Sequence, residues 1–252
     1  LGNFYFSMGC PVRAGGRGFE RLGRHHGCVL KISPSGDELS IFASGFRAPN
    51  GIGVGPNGEV TTGDNEGTFV PAAPLNWVKP GSFNGVIDSY RGERKFKSSP
   101  IAGYEVPYKK WGEYGRTYMQ RPGFQHFPEE APKPLVWMSK KRGVDNSGGG
   151  QVWVTSDKWG PLKDQLLHMS YGQSKLYAVL KEERNGQMQG GVCRIPVDLS
   201  SSAMRAPINP SDGQLYVSGL KGWQTNAKGT GGFDRIRYTG KPVHLPKSLE
   251  VK

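Results

Sequence analysis

Five residues in one short stretch, Arg47, Asn50, Asp64, Asn65 and Glu66, have the types and spacing to do chemistry. Arg offers a charged fork for a carboxylate or quinone oxygen, and Asn offers both a donor and an acceptor. Asp64, Asn65 and Glu66 sit in a Gly-flanked turn, where clustered hard oxygen donors suit calcium. The stretch Ser44 to Val86 explains how they would meet. Ile52-Gly-Val54 leads into the turn Gly55-Pro56-Asn57-Gly58, and Glu59-Val-Thr-Thr62 follows before Gly63. Asn-Gly supplies the positive φ angles of a hairpin, so residues before the first strand and after the second arrive at one mouth. A ligand site is expected there, against the plainer reading of ordinary turn chemistry.

The elements that must position this mouth are strands. The chain has 252 residues, 38 Gly, 19 Pro and 35% hydrophobic content, a composition for many short strands and turns. The formal charge of +12 is scattered, and its densest run, Lys140-Lys141-Arg142, is too short for a nucleic-acid arm. A solvated basic surface is the reading, with no nucleic-acid partner. Cys10, Cys28 and Cys193 are widely spaced, without CxxC, metal-ligand or CxxCH patterns. They leave one disulfide open and rule out covalent haem in this chain. No stretch is apolar enough for a membrane span, and no signal peptide is present. The opening Leu1-Gly-Asn-Phe-Tyr-Phe-Ser reads as strand, so a mature piece or fragment is expected.

One pattern recurs: a short aromatic or β-branched strand ending in a small residue, Gly or Asp. It occurs at Asn3–Gly9, Glu59–Asp64, Gln151–Asp157 and Gln214–Gly219, with starts 56, 92 and 63 residues apart. A propeller blade takes roughly 40–50 residues, so these intervals suggest blades with insertions. Further alternating strands are expected near 28–33, 39–43, 165–170, 175–180, 191–197 and 233–238. The segment Asp88 to Pro134, rich in Tyr, Pro, Gly and Lys, reads as one long loop inserted into a single domain spanning 1–252. The expected fold is all-β, a propeller of four-stranded antiparallel blades.

Four segments in this order carry a family resemblance: Gly27-Cys-Val-Leu-Lys-Ile-Ser-Pro-Ser-Gly36, Phe46-Arg-Ala-Pro-Asn-Gly51, Gly63-Asp-Asn-Glu-Gly67 and Leu75-Asn-Trp-Val-Lys-Pro-Gly81. Together they resemble the soluble PQQ-dependent sugar dehydrogenases, strongly over 27–85 and faintly over 165–220. The chain also resembles, over about 1–245, the propeller module of bacterial membrane-bound dehydrogenase-like proteins that often carry c-type haem domains. Asp212-Gly-Gln-Leu-Tyr-Val-Ser-Gly-Leu-Lys-Gly-Trp-Gln224 belongs to that second match. The resemblance implies a six-bladed propeller, of which this chain holds four to five blades. It implies PQQ and Ca2+ as cofactors, a sugar or related alcohol as substrate, a c-type cytochrome domain or subunit as partner, and a periplasmic or secreted location.

By the same resemblance, Arg47, Asn50 and Gly51 stand at the cofactor mouth, although the family's Arg and Asn are adjacent and these are not. Lys175 and Arg205 fall where the family has cofactor-contacting cations, with one Arg in place of two. Trp223 would line the channel, where an indole stacks a flat ligand or sugar, or else sits in the core. Asp64, Asn65 and Glu66 would frame the ion. The family's general-base His would fall before Leu1, so no catalytic residue is assigned. His168 is expected on the polar side of a strand, and His126 in solvent on the long loop. No Ser-His-Asp order, HExxH or P-loop is present. The alternative to a dehydrogenase is a non-catalytic propeller that binds a carbohydrate or a partner protein.

Overall fold

The computed structural model describes residues 2–10, 25–65, 72–85 and 131–242. Within them the chain folds as antiparallel meanders, each strand pairing with the next in sequence. The first sheet holds β1 (Phe4–Met8), β2 (Cys28–Ile32) and β3 (Leu39–Ser44). The second holds β4 (Ile52–Val54), β5 (Val60–Gly63), β6 (Ala72–Val78) and β7 (Val136–Ser139). The third holds β8 (Gly148–Trp153), β9 (Leu166–Ser170), β10 (Lys175–Arg184) and β11 (Gln187–Ile195). The fourth pairs β12 (Leu215–Leu220) with β13 (Gly231–Ile236), and Arg205 and Ile208 bridge to Ser218 and Leu215 on its inner side. The protein is an all-β, partial β-propeller.

Packing between sheets makes these meanders blades. Val29, Ala43 and Phe46 of the first sheet region meet Val60 and Val78 of the second. Ala73, Leu75, Val136 and Met138 meet Trp153, Leu166 and Val179 of the third. Leu167, Met169 and Leu176 meet Leu215 and Val217 of the fourth. Strand β9 shows the logic: Leu166 packs toward the second sheet while Leu167 and Met169 pack toward the fourth. A strand covered on both faces loses the alternation of a half-exposed one. Burying each such Leu contributes about 1.5–3 kcal/mol.

The expected strands are present with bounds shifted by a few residues. Sequence patterning missed β6 and β7. Strand β6 contains Pro74, which reads as a breaker, and β7 follows the long segment 86–130. That segment, and with it His126 and most of the expected insertion, lies outside the described residues. Residues 157–162 form a 3-10 turn capped by Ser156, just after the expected strand ends. Cys193 is a free thiol, while Cys10 Sγ donates to the Phe46 carbonyl and Cys28 Sγ to the His26 carbonyl, each at 3.4 Å. No helix among the described residues is long and apolar enough to cross a membrane.

Candidate functional site

The β4–β5 hairpin brings the two ends of the polar stretch together. The Asn50 amide donates to the Gly63 carbonyl at 3.1 Å. Asp64 reaches back further: its Oδ2 accepts from the Arg47 amide at 2.7 Å, and its Oδ1 from the amides of Ala48 at 2.8 Å and Asn65 at 2.7 Å. Asp64 is only 2% exposed. Burial raises its carboxyl pKa, opposed by these three amides and by the nearby Arg47 charge. Asp64 thus anchors the loop that presents Arg47 and Asn50. Three amide donors crowd its oxygens and water is excluded, so its carboxylate does not fit the open oxygen cage that calcium takes. Among the described residues, no three His, Cys, Asp or Glu side chains are placed to share a metal. Asn65 contributes its amide to this anchor, and Glu66 lies outside the described residues.

Arg47 is buried, and among the described residues its Nε and Nη2 have no hydrogen-bond partner. Unsatisfied buried donors of a charged group are costly, and an anionic ligand would satisfy them.

Asn50 and Arg205 join three inner segments at one end of the sheets. Asn50 Nδ2 donates to the Gly148 carbonyl at 2.9 Å and approaches Met204 Sδ at 3.2 Å. Arg205 Nη2 donates to Asn50 Oδ1 at 2.7 Å, and Nη1 donates to the Met204 carbonyl at 2.8 Å. Both partners of the guanidinium are neutral, so among the described residues its charge is uncompensated. Desolvation accordingly lowers its pKa. Glycines permit the close approach: Gly51 has φ +89°, and a Cβ there would lie 2.6 Å from the Gly150 Cα. A Cβ on Gly149 would lie 2.5 Å from the Ala203 carbonyl oxygen.

Lys175 and Trp223 lie at the same end, which Gly148, Ser170 and Lys175 share through strand register. The Lys175 ammonium is committed to the Gly143 carbonyl at 2.6 Å. Trp223 is 54% exposed, so the core reading of this indole is replaced by a surface one. The structure therefore brings Asn50, Gly51 and Arg205 together, ties the Arg47 backbone to Asp64 beside them, and sets Lys175 and Trp223 at the same end.

Two buried residues, Asp145 and Gln151, escaped sequence reasoning. Asp145 Oδ1 accepts from the Ser170 hydroxyl at 2.5 Å and from the amides of Asn146 and Ser147 at 2.8 and 3.0 Å. Its Oδ2 faces His168 Nε2 at 2.8 Å. Gln151 Nε2 donates to the Gly149 carbonyl at 2.9 Å and meets His168 Nδ1 at 3.2 Å. Flipping that amide would set two acceptor oxygens together, so Nδ1 accepts and the neutral ring donates from Nε2. His168 faces polar partners, as expected, but is fully buried, with Gly63 of the second sheet and Gly148 of the third close beside its ring. The network braces the 145–149 turn, whose Gly148 carbonyl holds Asn50. Burial and the Asp145 charge raise the Tyr177 phenol to about 12. The sequence signal for this brace was Asp145-Asn-Ser-Gly-Gly-Gly150, a polar turn running into close-packing glycines.

No protein-family model matches the chain, and no curated protein sequence matches it. Solved structures do. The soluble aldose sugar dehydrogenase from Escherichia coli, in its apo form, aligns with TM-score 0.57 at 14% identity, covering 92% of this chain and 59% of that one. The holo form of the pyranose dehydrogenase PQQ domain from Coprinopsis cinerea aligns with TM-score 0.54 at 11% identity, covering 94% and 67%. A calcium structure of a Trichoderma reesei carbohydrate-active enzyme of family AA12 aligns with TM-score 0.53 at 11% identity, covering 94% and 65%. At such identities the likeness shows the propeller fold. The chain spans about three fifths of the length of the first of these structures.

Proposed function

We propose that this chain forms the anion-holding mouth of a sugar dehydrogenase-like propeller, with a quinone of the PQQ type as cofactor and a sugar or related alcohol as substrate. One observation carries the reading: among the described residues the Arg205 guanidinium bonds only neutral groups, Asn50 Oδ1 and the Met204 carbonyl, where three inner segments converge, and the buried Arg47 Nε and Nη2 have no hydrogen-bond partner. PQQ carries three carboxylates, and these cations with the Asn50 amide are the donors that would hold it. When bound, the quinone supplies a hydride acceptor. Arg47 and Arg205 would bind its carboxylates, Gly51 would admit backbone approach, and Trp223 would border the substrate side. The named neighbours, an aldose sugar dehydrogenase and a pyranose dehydrogenase PQQ domain, support the same class. Calcium at Asp64 is not part of this proposal, because the carboxylate is engaged by backbone amides. A c-type cytochrome domain or subunit as electron acceptor, and a periplasmic or secreted location, belong to the proposal through the sequence resemblance.

The test is dye reduction by the full-length protein, supplied with PQQ and a panel of aldoses. Sugar-dependent reduction that disappears in Arg205→Ala supports the reading. No reduction with any sugar, under conditions where PQQ binds, removes the catalytic part.

A second reading, a carbohydrate-binding propeller without catalysis, is favoured by the sequestration of His168. Its two ring nitrogens are committed to Asp145 and Gln151 in the interior, so it cannot serve as a base at the mouth. Binding of sugar without PQQ and without turnover would select this reading.

A further inference from the structure

Trp223 is an exposed aromatic held by contacts to Tyr171 and Ser147. Its indole lies against the fully buried Tyr171, with ring centroids 4.4 Å apart and planes 31° apart. Its Nε1 approaches the Ser147 hydroxyl at 3.3 Å. The Tyr171 hydroxyl donates to the Trp223 carbonyl at 2.9 Å and accepts from the Gly222 amide at 2.9 Å. Thr225 Oγ1 donates to the Tyr171 carbonyl at 2.9 Å, closing the loop onto the same residue. Beside the indole runs a relay of side-chain amides. Asn226 Nδ2 donates to Gln173 Oε1 at 2.9 Å, Gln173 Nε2 to Asn146 Oδ1 at 2.8 Å, and Asn146 Nδ2 to the Gln224 carbonyl at 3.2 Å.

We infer that this platform is a saccharide subsite, one sugar unit outward from the mouth, and that the ligand is an oligosaccharide with all-equatorial pyranose units rather than a free monosaccharide. The inference rests on the sugar reading above for the class of ligand and adds its length. Three features point that way. A preorganised indole offers a large apolar face at low entropic cost, and it matches the axial C–H face of an equatorial pyranose. The fringe of neutral amides and a hydroxyl suits a ring edged with hydroxyls. Finally, Ser147 touches the indole while the adjoining Gly148 holds Asn50, so platform and mouth are set one residue apart in the same turn.

The experiment titrates the full-length, PQQ-free protein with cellotetraose and with glucose, reading tryptophan fluorescence and heat. Cellotetraose is expected to bind at least about tenfold more tightly than glucose, and Trp223→Ala to weaken it by about tenfold or more. Trp223→Phe should retain part of the affinity. Because Trp223 is exposed, the Ala variant should keep the wild-type melting curve. Absence of cellotetraose binding, equal affinity for the two sugars, or binding unchanged in Trp223→Ala would overturn the inference. Failure of PQQ to bind would overturn the cofactor reading and leave this result intact.

Discussion

Arg205 Nη2 and Asn50 Oδ1 lie 2.7 Å apart, although the residues are 155 positions apart in sequence. The bond ties the inner segment of the fourth sheet to the loop entering the second. Arg205 contributes its charge to a place where no carboxylate among the described residues pairs with it. Arg205→Ala should therefore shift the urea midpoint little, by less than about 1 kcal/mol, because the lost bonds are to neutral groups near the surface. Its affinity for a polycarboxylate ligand should fall by about 10- to 100-fold, the loss of a charge-assisted hydrogen bond. Calorimetry beside a denaturation curve separates the two effects.

Asp64 makes a pH-dependent prediction whose sign follows from its raised pKa. The folded state holds the proton more firmly than the unfolded state. The stability it confers is thus fully present below the ordinary carboxylate pKa and is lost as pH rises through the higher folded value. Asp64→Asn should remove that slope from denaturation curves collected across this acidic window. It should also lower stability by about 1–3 kcal/mol, since a carboxamide NH2 would face the amide donors of the 47–48 loop.

The Asp145–His168 pair is expected to behave as a brace. Asp145→Ala removes the acceptor for four donors, and His168→Ala leaves the buried carboxylate without its ring partner. Each should cost on the order of 1.5–3 kcal/mol in chemical denaturation, the loss of hydrogen bonds to a buried charged group. Equal stability of wild type and His168→Ala would show that the pair carries no structural load.

Gly51→Ala tests the convergence of the inner segments. A Cβ there meets the Gly150 Cα at 2.6 Å, and the position holds φ +89°. The expected cost is about 1–3 kcal/mol by thermal melting, with ligand affinity at the mouth reduced in parallel. Gly58→Ala, with open space around its Cβ, should show the cost of positive φ alone.

Much of the fold was legible because Asn57-Gly58 and the alternating strands around it follow local rules. The meeting of Arg47, Asn50 and Asp64 followed from the hairpin alone. What patterning could not show was which faces a neighbouring sheet covers. His168 alternates as a half-exposed residue would, yet both faces of β9 are packed. The role of Asp64 was hidden for a related reason: the donors it accepts from lie 16 and 17 residues back, so spacing could not distinguish an anchor from an ion ligand. For Trp223 the sequence left channel lining and core both open, and its exposure removes the core alternative, the indole resting on Tyr171 and Ser147.

The central claim is that Arg47 and Arg205 hold an anionic cofactor, and calorimetric titration of PQQ into the full-length protein tests it most directly. The account predicts saturable binding that Arg47→Ala and Arg205→Ala each weaken by about tenfold or more, with the folded state retained in Arg205→Ala. Absence of heat with wild type, or binding unchanged in both variants, would contradict it.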